Sequence, residues 1–330
     1  MSSSEPVSPV RIMVTGATGQ IGSELVPELR KRYGRDNVVA TGHLRRPTRE
    51  MEDSGPFLTM DLMDIETLAK TIKQEGIDRV YHLAAMLSAV GEDRPLEAWN
   101  VNMTSLKNVL DACQASSVHR VFWPSSIAAF GPTSPRTNTP QDTILQPTSM
   151  YGVTKVAGEL LCNYYFHKYG LDTRSVRYPG IISAETPPGG GTTDYAVAIF
   201  YEAIQKGRYE CFVREDTVLP MLYMPDCIKA AVRLMETPVA DLHRHDAYNL
   251  AGMSFSAGEL ARAIVRHIPE FSIEYRPDSR QKIADSWPMS LDDSEARRDW
   301  GWSPDYDLER MVSDMLTRLR RKLQRSDSEV

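Results

Sequence analysis

The sequence lacks the features of membrane, disulfide-rich and nucleic-acid-binding proteins. No apolar run approaches the roughly 20 residues of a membrane-spanning helix, and nothing near Met1 resembles a secretory signal. The 4 cysteines form no C-x-x-C pair, which argues against a disulfide framework and a thiolate zinc site. With 38 basic and 44 acidic residues there is no basic surplus for phosphate backbones. We expect a soluble protein with a small-molecule partner, no nucleic acid, no membrane and no metal.

Short apolar strand patterns alternate with helical patterns along the first half of the chain. Strands are predicted at 10–15, 37–41, 56–60, 79–83, 119–124 and 173–178, and helices at 21–33, 96–115 and 150–169. Such alternation is typical of a parallel sheet covered by helices on both faces, with ligands at the carboxyl ends of the strands. The sequence therefore predicts an α/β fold, a Rossmann-type doubly wound parallel sheet with a smaller C-terminal α/β lobe.

The first predicted strand runs directly into a glycine-rich turn, Gly16-Ala-Thr-Gly19-Gln-Ile-Gly22, and a helical pattern follows. Glycines at such a junction let the backbone approach a pyrophosphate, and the helix N-terminus offers unpaired N–H groups. A glycine turn alone often only punctuates a structure. Its place between a first strand and a helix favours a dinucleotide-binding loop.

The segment after the second predicted strand carries no acidic residue, although proteins that bind NAD usually have one there for the ribose hydroxyls. His43 stands in this segment instead. Arg45 or Arg46 can hold a 2′-phosphate, but two arginines on a surface turn are more often only solvated. Asp61 can accept a hydrogen bond from the adenine amine or cap the helix that begins near Asp64, and both readings stay open.

Tyr151 and Lys155 lie four residues apart at the predicted start of a helix, so their side chains share one face. A free tyrosine titrates at about pH 10, and a nearby ammonium favours the phenolate, which would make Tyr151 an acid or base near neutral pH. Ser126, at the carboxyl end of the preceding strand, can donate to a substrate oxygen. Each residue is common on surfaces; their combination is what indicates catalysis.

The order and spacing of TGATGQIG, Ser125-Ser126 and Tyr151-x-x-x-Lys155 resemble the extended short-chain dehydrogenase/reductase superfamily over nearly the whole chain. Longer strings look like those of short-chain L-threonine 3-dehydrogenases; they lie at 82–92, 178–183, 187–195, 219–226 and 286–294. The resemblance implies NAD, a catalytic set of Ser126, Tyr151 and Lys155, and oxidation of L-threonine to 2-amino-3-ketobutyrate. Relatives generally carry an acidic residue where His43 occurs here, which affects the expected ribose contacts.

The strand ends and the resemblance together give the expected binding residues. Those expected to bind the cofactor are Gly16, Gly19, Gln20, Ile21, Gly22, His43, Asp61, Leu62, Leu83, Ala84, Ala85, Asn102, Tyr151, Lys155 and Tyr178. Those expected to contact the substrate are Ser88, Ser126, Tyr151, Gly180, Thr192, Thr193 and Trp287. A solvent-facing Asn102 and a Trp287 that packs a loop onto the core remain alternatives.

The second half predicts a lobe that closes over the site. Residues 1–9 are expected to be a flexible leader, 10–180 mainly a NAD-binding domain, and 181–330 mainly a substrate-binding lobe whose segments can return to the first sheet. A Pro/Gly loop at 187–191 precedes Thr192-Thr193-Asp194, which is expected to cap a helix running to Lys206. Short strands are predicted at 247–250 and 272–275.

Two features of the second half are interpreted as structural and not as functional. His243 and His245 form H-x-H, but without matched ligands a solvated surface is favoured over a metal site. The charged tail after Arg318 is expected to be a frayed helix.

Two rival functions remain at the level of the sequence: a nucleotide-sugar epimerase or dehydratase of the same superfamily, and a regulator that senses a dinucleotide without turnover. The intact serine, tyrosine and lysine disfavour the regulator. The resemblance also implies a homodimer through helices 96–115 and 150–169, and a location in mitochondria for a eukaryotic source or in the cytoplasm for a bacterial one.

Overall fold

The computed structural model describes residues 10–328, so the predicted leader at 1–9 lies outside the described residues. The strands within this part are β1 (Ile12–Thr15), β2 (Val38–Gly42), β3 (Phe57–Thr59), β4 (Arg79–His82), β5 (Arg120–Phe122), β6 (Ser125–Ser126), β7 (Asp172–Arg174), β8 (Val176–Tyr178), β9 (Gly180–Ile182), β10 (Arg208–Cys211), β11 (Val218–Tyr223), β12 (Tyr248–Asn249), β13 (Met253–Ser256) and β14 (Ser272–Tyr275).

The α-helices of the same part alternate with these strands. They are α1 (Gln20–Tyr33), α2 (Arg49–Asp53), α3 (Ile65–Gln74), α4 (Ser88–Asp93), α5 (Pro95–Trp99), α6 (Ser105–Ala115), α7 (Met150–Tyr169), α8 (Tyr195–Lys206), α9 (Met224–Glu236), α10 (Ala257–Val265), α11 (Arg280–Asp285), α12 (Ser294–Trp300) and α13 (Leu308–Ser328). None of these helices, between residues 10 and 328, is long and apolar enough to cross a membrane.

The central sheet has six parallel strands in the order β3-β2-β1-β4-β5-β7. Its strands are buried on both faces: in β1, Ile12 and Val14 pack into one core and Met13 packs into another on the opposite side. The predicted Rossmann-type fold is therefore confirmed. The strand order reverses between β1 and β4, and ligands bind such sheets in the crevice at the carboxyl ends of these strands.

Smaller sheets follow the central one. β6, β8 and β12 form one of them, β9, β11 and β13 form a second, and β10 pairs with β14 in a third. A third core lies among α8, α10 and α13. Segments from beyond residue 181 also pack against the first half, since α9 contacts α1 and β12 extends the sheet of β6 and β8.

Local signals explain the helix that carries the tyrosine and lysine. α7 begins after Ser149, whose hydroxyl accepts a hydrogen bond from the N–H of Gly152, and it ends at Gly170 in the left-handed conformation. The predicted helix at 96–115 is continuous but contains a π-helical turn at Asn100–Thr104. π-turns inside helices are often found near functional sites.

One of the two structural readings from the sequence is wrong in part. His243 is exposed and its Nδ1 lies 3.1 Å from Asp299, but His245 is buried, with Nδ1 3.2 Å from the carbonyl oxygen of Thr173. The tail after Arg318 is helical, as predicted, because α13 continues to Ser328, and its fraying stays a prediction. The Arg318 guanidinium binds a carboxylate in the loop after β9, and this contact holds the helix in place.

Candidate active site

The residues predicted to act on the substrate line one cavity of about 150 Å³ near the carboxyl ends of the central strands. Its walls include Ser88, Ser126, Tyr151, Lys155, Gly180, Thr192, Thr193 and Trp287. Besides Tyr151 and Lys155, five further predicted cofactor-binding residues line it: Gln20, Ile21, Leu83, Ala85 and Tyr178. Among residues that the sequence did not single out, Leu87, Ile127 and Ile181 also contribute to the wall.

A second cavity, of about 460 Å³, lies beside the glycine turn. It is lined by predicted cofactor residues, namely Gly16, Gly19, His43, Asp61, Leu62, Leu83, Ala84 and Ala85. Leu83 and Ala85 belong to both walls, so the two cavities adjoin. Gly22 and Asn102 line neither of them.

The glycine turn has the geometry of a cradle. Gly16 has φ +67°, and a Cβ there would lie 2.6 Å from the backbone nitrogen of Ala84. A Cβ at Gly22 would lie 2.5 Å from the carbonyl oxygen of Gly16. The first turn of α1 contains no acidic side chain, so the positive end of the helix is open to an anion. These residues therefore fit the pyrophosphate of a dinucleotide.

Lys155 is buried at the base of the smaller cavity. Its Nζ donates to the carbonyl oxygen of Pro124 at 2.6 Å and lies 4.5 Å from the ring centre of Trp123. The ring centre of Tyr151 is 5.2 Å from the same nitrogen. Burial lowers the pKa of Lys155 to about 7, and the carboxylate of Glu159 opposes this change.

The pKa of Tyr151 differs from the sequence-based expectation. Burial raises it to about 12, and the hydroxyl of Ser126 offsets only part of the rise. Lys155 is not among the causes of this shift, and burial lowers the pKa of its own ammonium to about 7. The predicted lowering of the pKa of Tyr151 is therefore not found, because burial outweighs the favourable contacts of the phenol.

A buried ion pair that sequence reasoning missed lies one helical turn beyond Lys155. Glu159 accepts from Arg177 at 2.9 and 2.8 Å, and both side chains are 3% exposed. The hydroxyl of Ser125 donates to the same carboxylate at 2.5 Å, and Arg177 also donates to Asn249 at 3.0 Å. The sequence feature that could have indicated this pair is the position of Glu159, four residues after Lys155 and on the same face of α7.

The loop before α8 is held by one carboxylate. Asp194 Oδ2 accepts the backbone N–H groups of three consecutive glycines, Gly189, Gly190 and Gly191, at 2.6, 2.7 and 2.8 Å. It makes no side-chain cap for α8, so the predicted cap is replaced by a brace for the preceding loop. Thr192 is 1% exposed, and its hydroxyl finds no hydrogen-bond partner within the described residues.

The wall of the larger cavity contains His43 and Asp61. His43 Nδ1 lies 4.0 Å from Asp61 Oδ1, and both side chains are about half exposed. The same oxygen of Asp61 accepts from the backbone N–H of Met63 at 2.9 Å. The cap of α3 is Asp64, which accepts from the N–H of Thr67 at 3.0 Å. Asp61 is therefore a wall residue and not the helix cap.

Three further predicted residues make hydrogen bonds or packing contacts that fix their position in the fold. Asn102 is buried, accepts from the backbone N–H of Met86 at 2.7 Å and donates to the carbonyl oxygen of the same residue at 3.1 Å. Tyr178 turns its hydroxyl to the carbonyl oxygen of Cys227. Trp287 was expected either to contact the substrate or to pack a loop onto the core. Its side chain packs into a core and also lines the smaller cavity.

Comparisons with known proteins place the chain in a family. A sequence model described as the NAD dependent epimerase/dehydratase family matches residues 12–251. The mitochondrial L-threonine 3-dehydrogenase of Bos taurus is 48% identical over 307 residues, which are 93% of this chain and 82% of that protein.

Solved structures agree in fold and sequence. The holo form of a GalE-like L-threonine dehydrogenase from Cupriavidus necator is 51% identical, with a TM-score of 0.91 over 94% of this chain and 99% of that one. A monomeric L-threonine 3-dehydrogenase from a metagenome is 47% identical, with a TM-score of 0.90 over 94% and 99% of the two chains. The chain thus belongs to the NAD dependent epimerase/dehydratase family.

Proposed function

We propose that this chain oxidises L-threonine at its β-hydroxyl with NAD, yielding 2-amino-3-ketobutyrate, NADH and a proton. One observation carries the proposal: a small cavity joins the Ser126, Tyr151 and Lys155 side chains to the unpartnered hydroxyl of Thr192, and it adjoins the glycine-turn cavity. The names of relatives that are 47% to 51% identical supply the substrate.

The residues that would hold NAD are those whose geometry suits its parts. Gly16 and Gly19 line the larger cavity beside the start of α1, where the pyrophosphate would lie, and Lys155 on the wall of the adjoining smaller cavity would hold the nicotinamide ribose. When bound, NAD supplies the acceptor for the hydride that leaves Cβ of the substrate.

The proton chemistry belongs to the chain itself. Tyr151 would take the proton of the β-hydroxyl, and Ser126 would donate a hydrogen bond to the same substrate oxygen. Lys155 would favour the phenolate while it carries its charge, and Glu159 supports that charge by raising the pKa of the lysine against the effect of burial.

The far end of the smaller cavity suits the charged groups of an amino acid. A buried hydroxyl without a partner is costly, and a ligand that supplies the missing hydrogen bond removes this cost. Thr192 has such a hydroxyl, and Thr193 lies beside it on the wall. We assign these two residues to the α-carboxylate and ammonium of the substrate.

Cavity size separates this function from the epimerase reading. Pockets for drug-sized ligands measure about 300–1,000 Å³. The substrate cavity here is about 150 Å³, which accommodates a small amino acid better than a sugar attached to a nucleoside diphosphate. A dinucleotide sensor would not need a phenol and a buried amine at the same wall.

The decisive experiment measures the NADH formed with L-threonine, L-serine or L-allo-threonine, and separately the epimerised product formed from a UDP-sugar, because an epimerase returns its hydride and releases no net NADH. We expect turnover with L-threonine and a loss of about 10²–10⁴-fold in kcat for Tyr151→Phe, the range for a general base. Binding of NAD should persist in this variant, measured by calorimetry. Absence of turnover with every amino acid, together with conversion of the UDP-sugar, would establish the epimerase instead.

We further propose a homodimer formed through the helical run 95–115 and α7, although the metagenome relative is described as monomeric. Apolar side chains exposed on these helices support this proposal. For location, we propose mitochondria for a eukaryotic source and the cytoplasm for a bacterial one, in line with the mitochondrial Bos taurus relative.

A further inference from the structure

The carboxyl end of β2 has an unusual charge. In dinucleotide-binding sheets an acidic residue there accepts the ribose hydroxyls, and its negative charge also repels a phosphate on the same ribose. Here the strand ends at Gly42, and His43, Leu44 and Arg45 follow one another on the wall of the larger cavity. A histidine side chain is not anionic near neutral pH, so this wall lacks the repelling charge.

The nearest carboxylate does not replace the missing one. Asp61 lines the same cavity, with 4.0 Å between its Oδ1 and Nδ1 of His43, and this oxygen already accepts the backbone N–H of Met63. Asp61 follows β3 and not β2. Its carboxylate therefore does not stand at the end of β2, where the acidic residue of NAD-binding proteins lies.

The cations at this wall have no acidic partners. Among the residues that the structure describes, no carboxylate lies within 4.0 Å of the guanidinium groups of Arg45 and Arg46. Of the two, Arg45 lines the cavity and Arg46 does not. A free guanidinium can bind a phosphate with two parallel hydrogen bonds, and it does so without first breaking an ion pair.

We propose that Arg45 and His43 form a subsite for a phosphate ester on the 2′ position of the adenosine ribose, so that the chain binds NADP as well as NAD. This inference rests on the proposed function only in placing a dinucleotide in the larger cavity. The phosphate would occupy the space beside β2 that a carboxylate closes in NAD-specific proteins.

Two small probes isolate the subsite, because adenosine 2′,5′-bisphosphate differs from adenosine 5′-monophosphate only by the 2′-phosphate. Calorimetric titration of the full chain should show the bisphosphate binding at least as tightly as the monophosphate, and NADP within about tenfold of NAD. The preference for the bisphosphate should weaken as salt concentration rises, because the contact is ionic.

Variants assign the contact. Arg45→Ala should weaken binding of the bisphosphate by about tenfold or more, the range for a charged hydrogen bond, and leave binding of the monophosphate unchanged. His43→Asp should weaken NADP by at least about tenfold relative to NAD, because like charges then face each other. Arg49→Ala, which removes the same charge outside the cavity wall, is the matched control and should change neither probe.

The outcomes separate this inference from the proposed function. Binding of NAD with NADP weaker by more than about tenfold overturns the subsite, as do equal losses in Arg45→Ala and Arg49→Ala. If both dinucleotides bind comparably but L-threonine is not oxidised, the proposed function fails and the subsite stands. If neither dinucleotide binds, both are overturned.

Discussion

Thr192 has a hydroxyl that is buried but contributes no hydrogen bond to the fold. Burying such a group without a partner costs about 1–3 kcal/mol in proteins. The side chain is 1% exposed and lies on the wall of the smaller cavity. If the substrate completes the hydrogen bond, the cost of burying this hydroxyl is recovered in the complex. Thr192 should therefore contribute to substrate binding and not to the stability of the fold.

We expect Thr192→Val to separate these two effects. The substitution keeps the shape and removes the hydroxyl, so the free energy of unfolding should stay the same or rise slightly. KM for L-threonine should rise by roughly tenfold or more, because a hydrogen bond to a charged group is worth about 1.5–3 kcal/mol. Thr192→Ser keeps the hydroxyl and should retain most of the affinity. A drop in thermal stability with unchanged KM would contradict this role.

The protonation state of Tyr151 predicts a direction for the pH dependence of activity. Its pKa is raised to about 12 by burial, so the phenol is protonated at neutral pH. A general base must be ionised, and kcat/KM reports the free enzyme, so kcat/KM for L-threonine should rise from about pH 6 to about pH 9. NAD binding and circular dichroism over the same range control for unfolding. A flat or falling profile would count against Tyr151 as the base.

At the scale of elements, the Glu159–Arg177 pair fastens the helix that carries Tyr151 and Lys155. It joins α7 to β8, and Ser125 bonds the same carboxylate from β6. Each of two buried charges is stabilised by the other, because removal of one leaves the other buried and unpaired. The position of Tyr151 and Lys155 therefore depends on a pair that does not line the smaller cavity.

Glu159→Gln should lower the free energy of unfolding by about 3–5 kcal/mol, the usual effect of breaking a buried ion pair. The double variant Glu159→Gln/Arg177→Met should lose less, because no charge is left unpaired. Lys206 and Glu202 form an exposed pair at 2.9 Å on α8, and Lys206→Ala should cost only about 0.3–0.5 kcal/mol. Chemical denaturation measures all three variants, and equal losses in the exposed and buried pairs would refute the argument.

Most central elements were predictable because their signals are local. Apolar runs marked the central strands to within a few residues, except that the single strand predicted at 173–178 is two strands, β7 and β8, in different sheets. The helix α7 has the predicted bounds of 150–169 because a serine caps its start and Gly170 ends it. The smaller cavity was predictable through the strand ends and the resemblance, which brought Ser126, Tyr151 and Lys155 together.

The features that sequence reasoning missed depend on contacts between distant segments. Glu159 and Arg177 are 18 positions apart on different elements, and neither residue alone indicates burial. The π-turn at Asn100–Thr104 interrupts a helix without a Pro or Gly to signal it. Asp194 looked like a helix cap, but three glycine N–H groups before it compete for the same carboxylate. Local patterns cannot decide such competitions.

At the scale of the molecule, the last helix ties the two halves together beside the site. Arg318 on α13 binds Glu185 at 2.9 Å in the loop after β9, and it lies 3.7 Å from Glu24 on α1. Ser183 donates to Glu24 at 2.6 Å from the same loop. The loop that leads to Thr192 is therefore held at its base by the first and last helices, which limits how far it can move from the cofactor cavity.

The molecule also has an uncovered apolar surface on neighbouring helices. Leu96 is 84% exposed and Trp99 is 45% exposed on α5, which packs beside α7. Val153, Leu160 and Tyr164 are exposed on α7, where spacings of seven and four residues place them on one face. Large exposed apolar patches on folded proteins are often interaction sites, and these side chains support the proposed interface. The proposed homodimer would cover it.

Light scattering tests the homodimer directly. At micromolar concentration the chain should have about twice its mass of 37.1 kDa. Leu160→Lys would bury two ammonium groups at the centre of the proposed interface, and the cost of burying charge should shift the protein to monomers. Val265→Lys changes an exposed apolar residue on α10 and should leave the mass unchanged. A monomer mass for the parent chain, or equal masses for the parent and Leu160→Lys, would contradict an interface on this face.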